Sequence, residues 1–260
     1  MEDMVKLVPR FVDEKIGEHW AVDETPESFS RLMQHIATTT RFKPHFERAL
    51  SDWRLYSKPE GLVVADIGAG VAWTSAVMAL RPEISKIYVV EPSKNRLNCA
   101  EAIAKHLNAP REKLVFIEGT FENPKIPVNV DIVSLCASIH HCWDEEMPKL
   151  FENIRSMLVA DGVLLLSNEH FVNRLYSIRL FLSWIRYFPN RSLNWRTPPD
   201  PWSGEHVRFK YELDNIFERE GFDVEYFHLE ENLCAREAKW RWIDWLTWTY
   251  YYAILRVKST

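Results

Sequence analysis

From residue 62 onward, short apolar runs alternate with longer stretches whose apolar positions recur every three or four residues. Leu62–Asp66, Ile87–Glu91, Leu114–Ile117, Ile132–Leu135 and Val163–Leu166 are close to continuously apolar, the pattern of strands buried on both faces. Helices are expected at Trp73–Leu80, ended by Pro82, and behind Ser93, where Leu97, Ala100, Ile103, Ala104 and Leu107 share one face. Another is expected over Glu145–Leu158, with Gly162 after its end. A helix over Tyr211–Glu220 stopped by Gly221, a strand over Phe222–Leu229 and a last strand over Tyr250–Val257 complete the series. Strands separated by amphipathic helices predict an α/β fold with a doubly wound, mostly parallel sheet.

Residues 1–58 lack the strand pattern and read as an N-terminal helical cap on a core of 59–260. Thr25-Pro26-Glu27-Ser28 offers a helix start, Phe29, Leu32, Met33 and Ile36 follow at helical spacing, and a second helix is expected over Pro44–Leu55. The alternation breaks between 170 and 208. There Leu175–Ile185 has helical spacing, and Pro189, Pro198, Pro199 and Pro201 mark a loop. Long ordered insertions of this kind are often binding lids. A second, Trp-rich insertion covers 232–248.

Composition narrows the partners. The 260 residues carry a net charge of -5 with 47% hydrophobic content, so a soluble globular chain is expected, with no nucleic-acid partner. Six of the 11 tryptophans fall between Trp195 and Trp248, rings that fill a core or line a pocket for a flat or greasy ligand. Cys99, Cys136, Cys142 and Cys234 lack CxxC pairing and read as reduced thiols of a cytoplasmic protein. The acidic N-terminus offers no signal core, and no apolar run reaches membrane-spanning length. Cys136, His140, His141 and Cys142 crowd within seven residues, too compressed for a tetrahedral zinc site, so no metal is expected. Arg174, Arg179 and Arg186 interleave with Leu175, Leu180, Phe181 and Trp184. That pattern suits peripheral membrane contact, but a helix packing its apolar side on the domain accounts for it equally and is preferred.

The candidate chemistry begins at Val64-Ala65-Asp66-Ile67-Gly68-Ala69-Gly70, where a strand runs into a glycine loop. Glycine there lets the backbone turn and approach a ligand without a Cβ in the way. Asp66 would set a like charge beside any pyrophosphate, and Trp73 occupies the third glycine position of the dinucleotide pattern. Glu91, at the end of the second strand, suits accepting hydrogen bonds from ribose hydroxyls. The competing reading has Asp66 capping the following turn and Glu91 as a solvated strand end.

These runs resemble the class I S-adenosylmethionine-dependent methyltransferase family, especially its branch acting on small molecules and quinone precursors. The matching segments are Ala65–Gly70, Val89-Val90-Glu91-Pro92-Ser93, Asp131–Leu135 with His140-His141, and Ala160-Asp161-Gly162-Val163-Leu164-Leu165. The resemblance implies a seven-stranded sheet with an antiparallel last strand and S-adenosyl-L-methionine as cofactor. It puts Asp66, Gly68, Ala69 and Gly70 along the methionine part and Glu91 with Pro92 at the ribose, and brings Ser134, Leu135 and Cys136 into the same site. Thr120 stands where the family often has an aspartate on the adenine amino group; a hydroxyl can still hydrogen-bond, and Phe121 offers a ring to stack on adenine. After Gly70 the loop continues as Val71-Ala72 instead of with another glycine.

Methyl transfer from a sulfonium is an in-line displacement that needs a positioned acceptor and, for a hydroxyl or ammonium, a base. The groups expected at the strand ends are His141, Glu169 and His170, with His206 just before the Tyr211 helix. Each has a bland alternative: His141 ordering its loop, Glu169 and His170 as a solvated strand end, and the 202–208 turn as a helix start. Trp73, His140 and Trp202 are expected to line the pocket for a small-molecule methyl acceptor of aromatic or lipophilic character, in a monomer or homodimer. A non-catalytic cofactor-binding subunit and, behind it, a nicotinamide oxidoreductase are the alternatives.

Overall fold

The structure is a computed structural model that describes residues 20–51, 60–172, 208–228 and 248–258. The helix expected at Leu175–Ile185 with its interleaved arginines, Trp202, His206 and all of the Trp-rich insertion except the backbone of Trp248 lie outside the described residues. So does Cys234.

The first described helix, α1 (Pro26–Gln34), starts where the sequence predicts, with the Thr25 hydroxyl accepting from the Ser28 N–H. A π-helical turn, His35–Thr39, leads to α2 (Phe42–Leu50), which starts before the expected Pro44, while the expected end at Leu55 lies outside the described residues. Then come β1 (Leu62–Ile67), α3 (Trp73–Ala79), β2 (Ile84–Glu91) and α4 (Lys94–His106). They are followed by β3 (Leu114–Glu118), β4 (Val130–Cys136), α5 (Met147–Met157), β5 (Leu158–Val172), α6 (Lys210–Arg219), β6 (Phe222–His228) and β7 (Trp248–Val257). They build a seven-stranded sheet in the order β3-β2-β1-β4-β5-β7-β6, parallel except for β7, which runs against both β5 and β6.

Alternating strand residues feed two apolar layers, as period-2 geometry requires. Leu62, Val64, Ile87, Val89 and Leu165 pack under α1 to α4, whereas Ala65, Val90, Val133, Leu135 and Leu166 face α5 and α6. The sequence order reverses between β1 and β4, so the crevice beyond their carboxyl ends is the switch point where open α/β sheets bind ligands.

Strand β5 departs most from expectation. It begins at Leu158, directly after α5, and continues through His170 to Val172. Its register is irregular between the Leu158 and Val163 pairings, a stretch that includes Gly162, where a Cβ would lie 2.9 Å from Leu158 Cδ2 and 3.0 Å from Val159 O. Gly162, expected after the end of the Glu145–Leu158 helix, therefore lies within a strand, in an irregular stretch of its pairing. A second irregularity falls between Leu166 and Glu169, where Asn168 takes the left-handed conformation at φ 54°. Beyond it the strand pairs again, Glu169 with Tyr251 and His170 with Tyr250.

Candidate active site at the strand ends

The loop after β1 is folded back onto β2. Gly68 and Ala69 donate their N–H groups to Val90 O at 2.9 and 3.1 Å, and Gly70 donates to Glu91 Oε2 at 2.8 Å. Glu91 Oε1 accepts from Ser93 N at 3.0 Å, so this 3% exposed carboxylate ties loop, strand end and the start of α4 together. The N–H groups that a phosphate-binding loop aims at its ligand are thus committed, and the charge beside them is negative. Gly68 is required by its φ of 69° and by its neighbours, since a Cβ would lie 3.0 Å from Ser138 Cβ and 3.2 Å from the Phe121 ring.

Asp66 is not at the loop surface. It is fully buried, with Oδ2 accepting from the hydroxyls of Thr74 (2.7 Å) and Ser75 (2.5 Å) at the start of α3. Burial pushes its carboxyl up, against the opposing pull of the Ser75, Thr74 and Ser134 hydroxyls. Glu91 is the carboxylate that meets the glycine-loop N–H group. Ala72, where a further glycine would stand, holds a left-handed φ of 58°.

Of the other expected cofactor residues, Ala69, Gly70, Pro92 and Phe121 are half-buried around the loop and Thr120 is exposed. Thr120 and Asn123 close a small turn through paired backbone bonds of 3.1 and 3.2 Å. Ser134 and Leu135 are fully buried in β4, Leu135 on the α5 side. Cys136 is half-buried, with Asn168 Nδ2 donating to Sγ at 3.1 Å, and burial pushes its thiol up to about 12. Trp73, expected in the substrate pocket, is 5% exposed within the apolar layer, edge-on to Phe46 at 5.3 Å. Its large ring is packed by the N-terminal helices, whose position the sequence did not supply.

The histidines gather on the far side of the crevice. A 3-10 turn, Ile139–His141, follows β4. Glu169, fully buried, accepts from Ser138 N at 2.6 Å and Ile139 N at 2.8 Å through Oε1, while Oε2 lies 2.8 Å from His140 Nδ1. Glu169 and His170 are therefore not a solvated strand end. Burial raises the Glu169 carboxyl, opposed first by the Ile139 N–H. The His140 ring lies 4.3 Å from that of His141 and 5.0 Å from that of His170. Burial, reinforced by His140, drives His170 down to about 3, so this ring is neutral and weakly basic at physiological pH. His141 is half-buried, His140 only 8% exposed.

Sequence reasoning missed Arg208 as a site residue. The residue is 6% exposed, and its guanidinium donates to Cys142 O at 2.8 Å, Ile139 O at 3.5 Å and Asp144 Oδ1 at 2.9 Å. Its position before a predicted helix looked like an ordinary charged helix start. Among the described residues no three His, Cys, Asp or Glu side chains converge as metal ligands would, and no helix is long and apolar enough to cross a membrane.

A family profile described as a methyltransferase domain matches residues 64–162. No curated protein sequence matches the chain. Among solved structures it is similar to magnesium protoporphyrin IX methyltransferase from Synechocystis PCC 6803 with bound S-adenosylhomocysteine. That match has 14% identity and a TM-score of 0.56, covering 98% of this chain and 93% of that one. It is also similar to an S-adenosylmethionine-dependent methyltransferase from Thiobacillus denitrificans in complex with S-adenosylhomocysteine, at 13% identity and TM-score 0.57, with 87% and 98% covered. A third, phosphoethanolamine N-methyltransferase 2 from Haemonchus contortus, has 14% identity and TM-score 0.56, with 90% and 60% covered. With the glycine loop, the Glu91 clasp and the antiparallel last strand in the expected order, residues 64–162 match a methyltransferase domain and the chain shares the fold of these S-adenosylmethionine-dependent enzymes.

Proposed function

We propose that the chain transfers a methyl group from S-adenosylmethionine to a small-molecule acceptor met at the crevice between the β1 and β4 loops. The observation that carries this reading is the commitment of the Gly68, Ala69 and Gly70 N–H groups to Val90 and Glu91. Such a loop leaves no amide cradle for pyrophosphate, which disfavours a nicotinamide oxidoreductase, and it suits a nucleoside bearing a cationic sulfonium. The residues fit that cofactor. The Glu91 carboxylate is buried at the loop, Gly68 leaves a face that a Cβ would fill, and Phe121 adds an aromatic edge. In this reading Gly68–Gly70, Glu91, Pro92, Thr120 and Phe121 hold the cofactor, which supplies an activated methyl.

The chain's own contribution is orientation and proton management. Glu169 holds the 138–140 backbone and the His140 ring. His141, half-buried beside it, is the group best suited to take a proton from a hydroxyl or ammonium acceptor. His170, held neutral and weakly basic, serves as a wall of the site. His206 remains a second candidate. Two of the similar structures carry the names of small-molecule methyltransferases, acting on magnesium protoporphyrin IX and phosphoethanolamine, which supports an acceptor of that size class.

The test is calorimetric titration with S-adenosylhomocysteine and with reduced nicotinamide dinucleotide, followed by transfer of labelled methyl to a panel of small aromatic and amine acceptors. Binding of the thioether with no response to the dinucleotide is expected. Dinucleotide binding alone would overturn the reading, and cofactor binding without transfer to any acceptor would favour a non-catalytic subunit.

A further inference from the structure

We propose that Arg208 is a positioning residue, holding the Ile139–His141 turn from its carbonyl side while Glu169 holds it from its amide side. The inference rests on the functional reading above, in which this turn presents His140 and His141 to the acceptor. Ile139 donates its N–H to Glu169 Oε1 at 2.8 Å, and its carbonyl faces Arg208 Nη1 at 3.5 Å. A single turn of helix thus hangs between a buried anion at its N–H end and a buried cation at its C=O end, the polarity that its peptide dipoles favour.

The cost of that arrangement makes a purely packing role a poor account. Burying a guanidinium is expensive unless its donors are used. The Arg208 side chain is only 7% exposed, and its one carboxylate partner among the described residues, Asp144, is 47% exposed and half in water. Among the described residues the remaining compensation comes from the carbonyls of Cys142 and Ile139. An apolar side chain would fill the same space without that penalty. What it would lose is the planar fork that reaches two carbonyls and a carboxylate around one turn, a task for which lysine offers only a point charge. The charge also reaches the histidine cluster, since Arg208 is among the groups that disfavour protonation of His170. Arg208 stands directly before α6, so the segment that joins that helix also fixes the turn after β4.

The experiment compares wild-type full-length chain with Arg208→Lys and Arg208→Met, using backbone amide exchange, histidine ring nitrogen spectra and calorimetric titration with S-adenosylhomocysteine. In Arg208→Met, exchange at Ile139, His141 and Cys142 should rise about tenfold or more, with Val64 and Val133 in the central strands unchanged. The His140 Nδ1 resonance should move as its bond to Glu169 loosens, and affinity for S-adenosylhomocysteine should stay within about twofold of wild type. Arg208→Lys should recover part of the protection at Cys142 and little at Ile139. Unchanged exchange at the turn in Arg208→Met, or an equal rise at Val64 and Val133, would overturn the proposal in favour of general packing. If wild-type protein fails to bind S-adenosylhomocysteine, the functional reading falls on that arm alone, while the exchange arm still decides the role of Arg208.

Discussion

Gly70 donates its backbone N–H to Glu91 Oε2 at 2.8 Å, so the carboxylate expected to hold the ribose also shapes the glycine loop. Glycine loop and strand end are therefore one unit. Glu91→Gln keeps the side-chain outline but leaves Gly70 N–H or Ser93 N–H facing an amide donor. Thermal and denaturant unfolding should show a loss of ~1–3 kcal/mol. Affinity for S-adenosylhomocysteine should fall about tenfold or more, the loss expected when a charge-assisted pair becomes neutral. Wild-type affinity in this variant would remove Glu91 from the cofactor site.

Gly68 and Gly61 separate backbone strain from crowding. Both hold left-handed φ, 69° and 78°, but a Cβ on Gly61 would meet nothing within 4 Å, whereas one on Gly68 would press on Ser138 and Phe121. Gly61→Ala should cost only the conformational penalty of about 1 kcal/mol. Gly68→Ala adds overpacking and should cost about 3 kcal/mol or more. Urea denaturation of the two variants reads the difference; equal costs would show that the β4 loop yields freely.

Acidification should destabilise the fold through His170. Its folded value is about 3 against an ordinary 6.5, so between those pH values the unfolded chain binds the proton and the folded chain resists it. Stability from this group is complete above pH 6.5 and declines below it, by up to ~1.4 kcal/mol per pH unit. Glu169 and Asp66, whose carboxyls burial raises, work the other way: their contribution is greatest in acid and shrinks as pH climbs past the ordinary carboxylate range. His170→Gln removes only the first slope. The difference in unfolding free energy between wild type and this variant should narrow from pH 6.5 toward 4, and a flat difference would contradict the assignment.

The fold was legible because local signals agreed with it. Thr25 and Ser93 cap the helices they were expected to cap, and strands buried on both faces announced a covered parallel sheet. What the sequence hid were long-range relations. Strand β5 carries Gly162 and Asn168 in irregular stretches of its pairing, so turn-forming residues concealed a continuous strand. Asp66 and Glu91 read alike as acidic strand ends, yet one is turned to α3 and the other to the loop, a distinction made by Thr74, Ser75 and Gly70. The Ala72 departure is accommodated as a left-handed residue at the start of α3, at a strain that glycine would avoid. Arg208 could have been noticed only by knowing which carbonyls lie 66 to 69 positions away.

The last prediction concerns how the His140 proton is set. With Glu169 Oε2 at 2.8 Å, an ionised Glu169 would keep the His140 proton on Nδ1. In Glu169→Gln the amide oxygen would keep the Ser138 and Ile139 N–H groups, which turns the NH2 group toward His140. That donor cannot face an N–H, so the neutral ring must switch to the opposite tautomer. Losing a buried charge offsets part of the lost bonding, so stability should change by less than ~1.5 kcal/mol. Glu169→Ala instead strands the two backbone donors and should cost about 3 kcal/mol or more. Nitrogen spectra of the histidine rings distinguish the tautomers directly. A ring that keeps its wild-type tautomer in Glu169→Gln would mean that the carboxylate holds the backbone turn alone, leaving His140 to be set by its other neighbours.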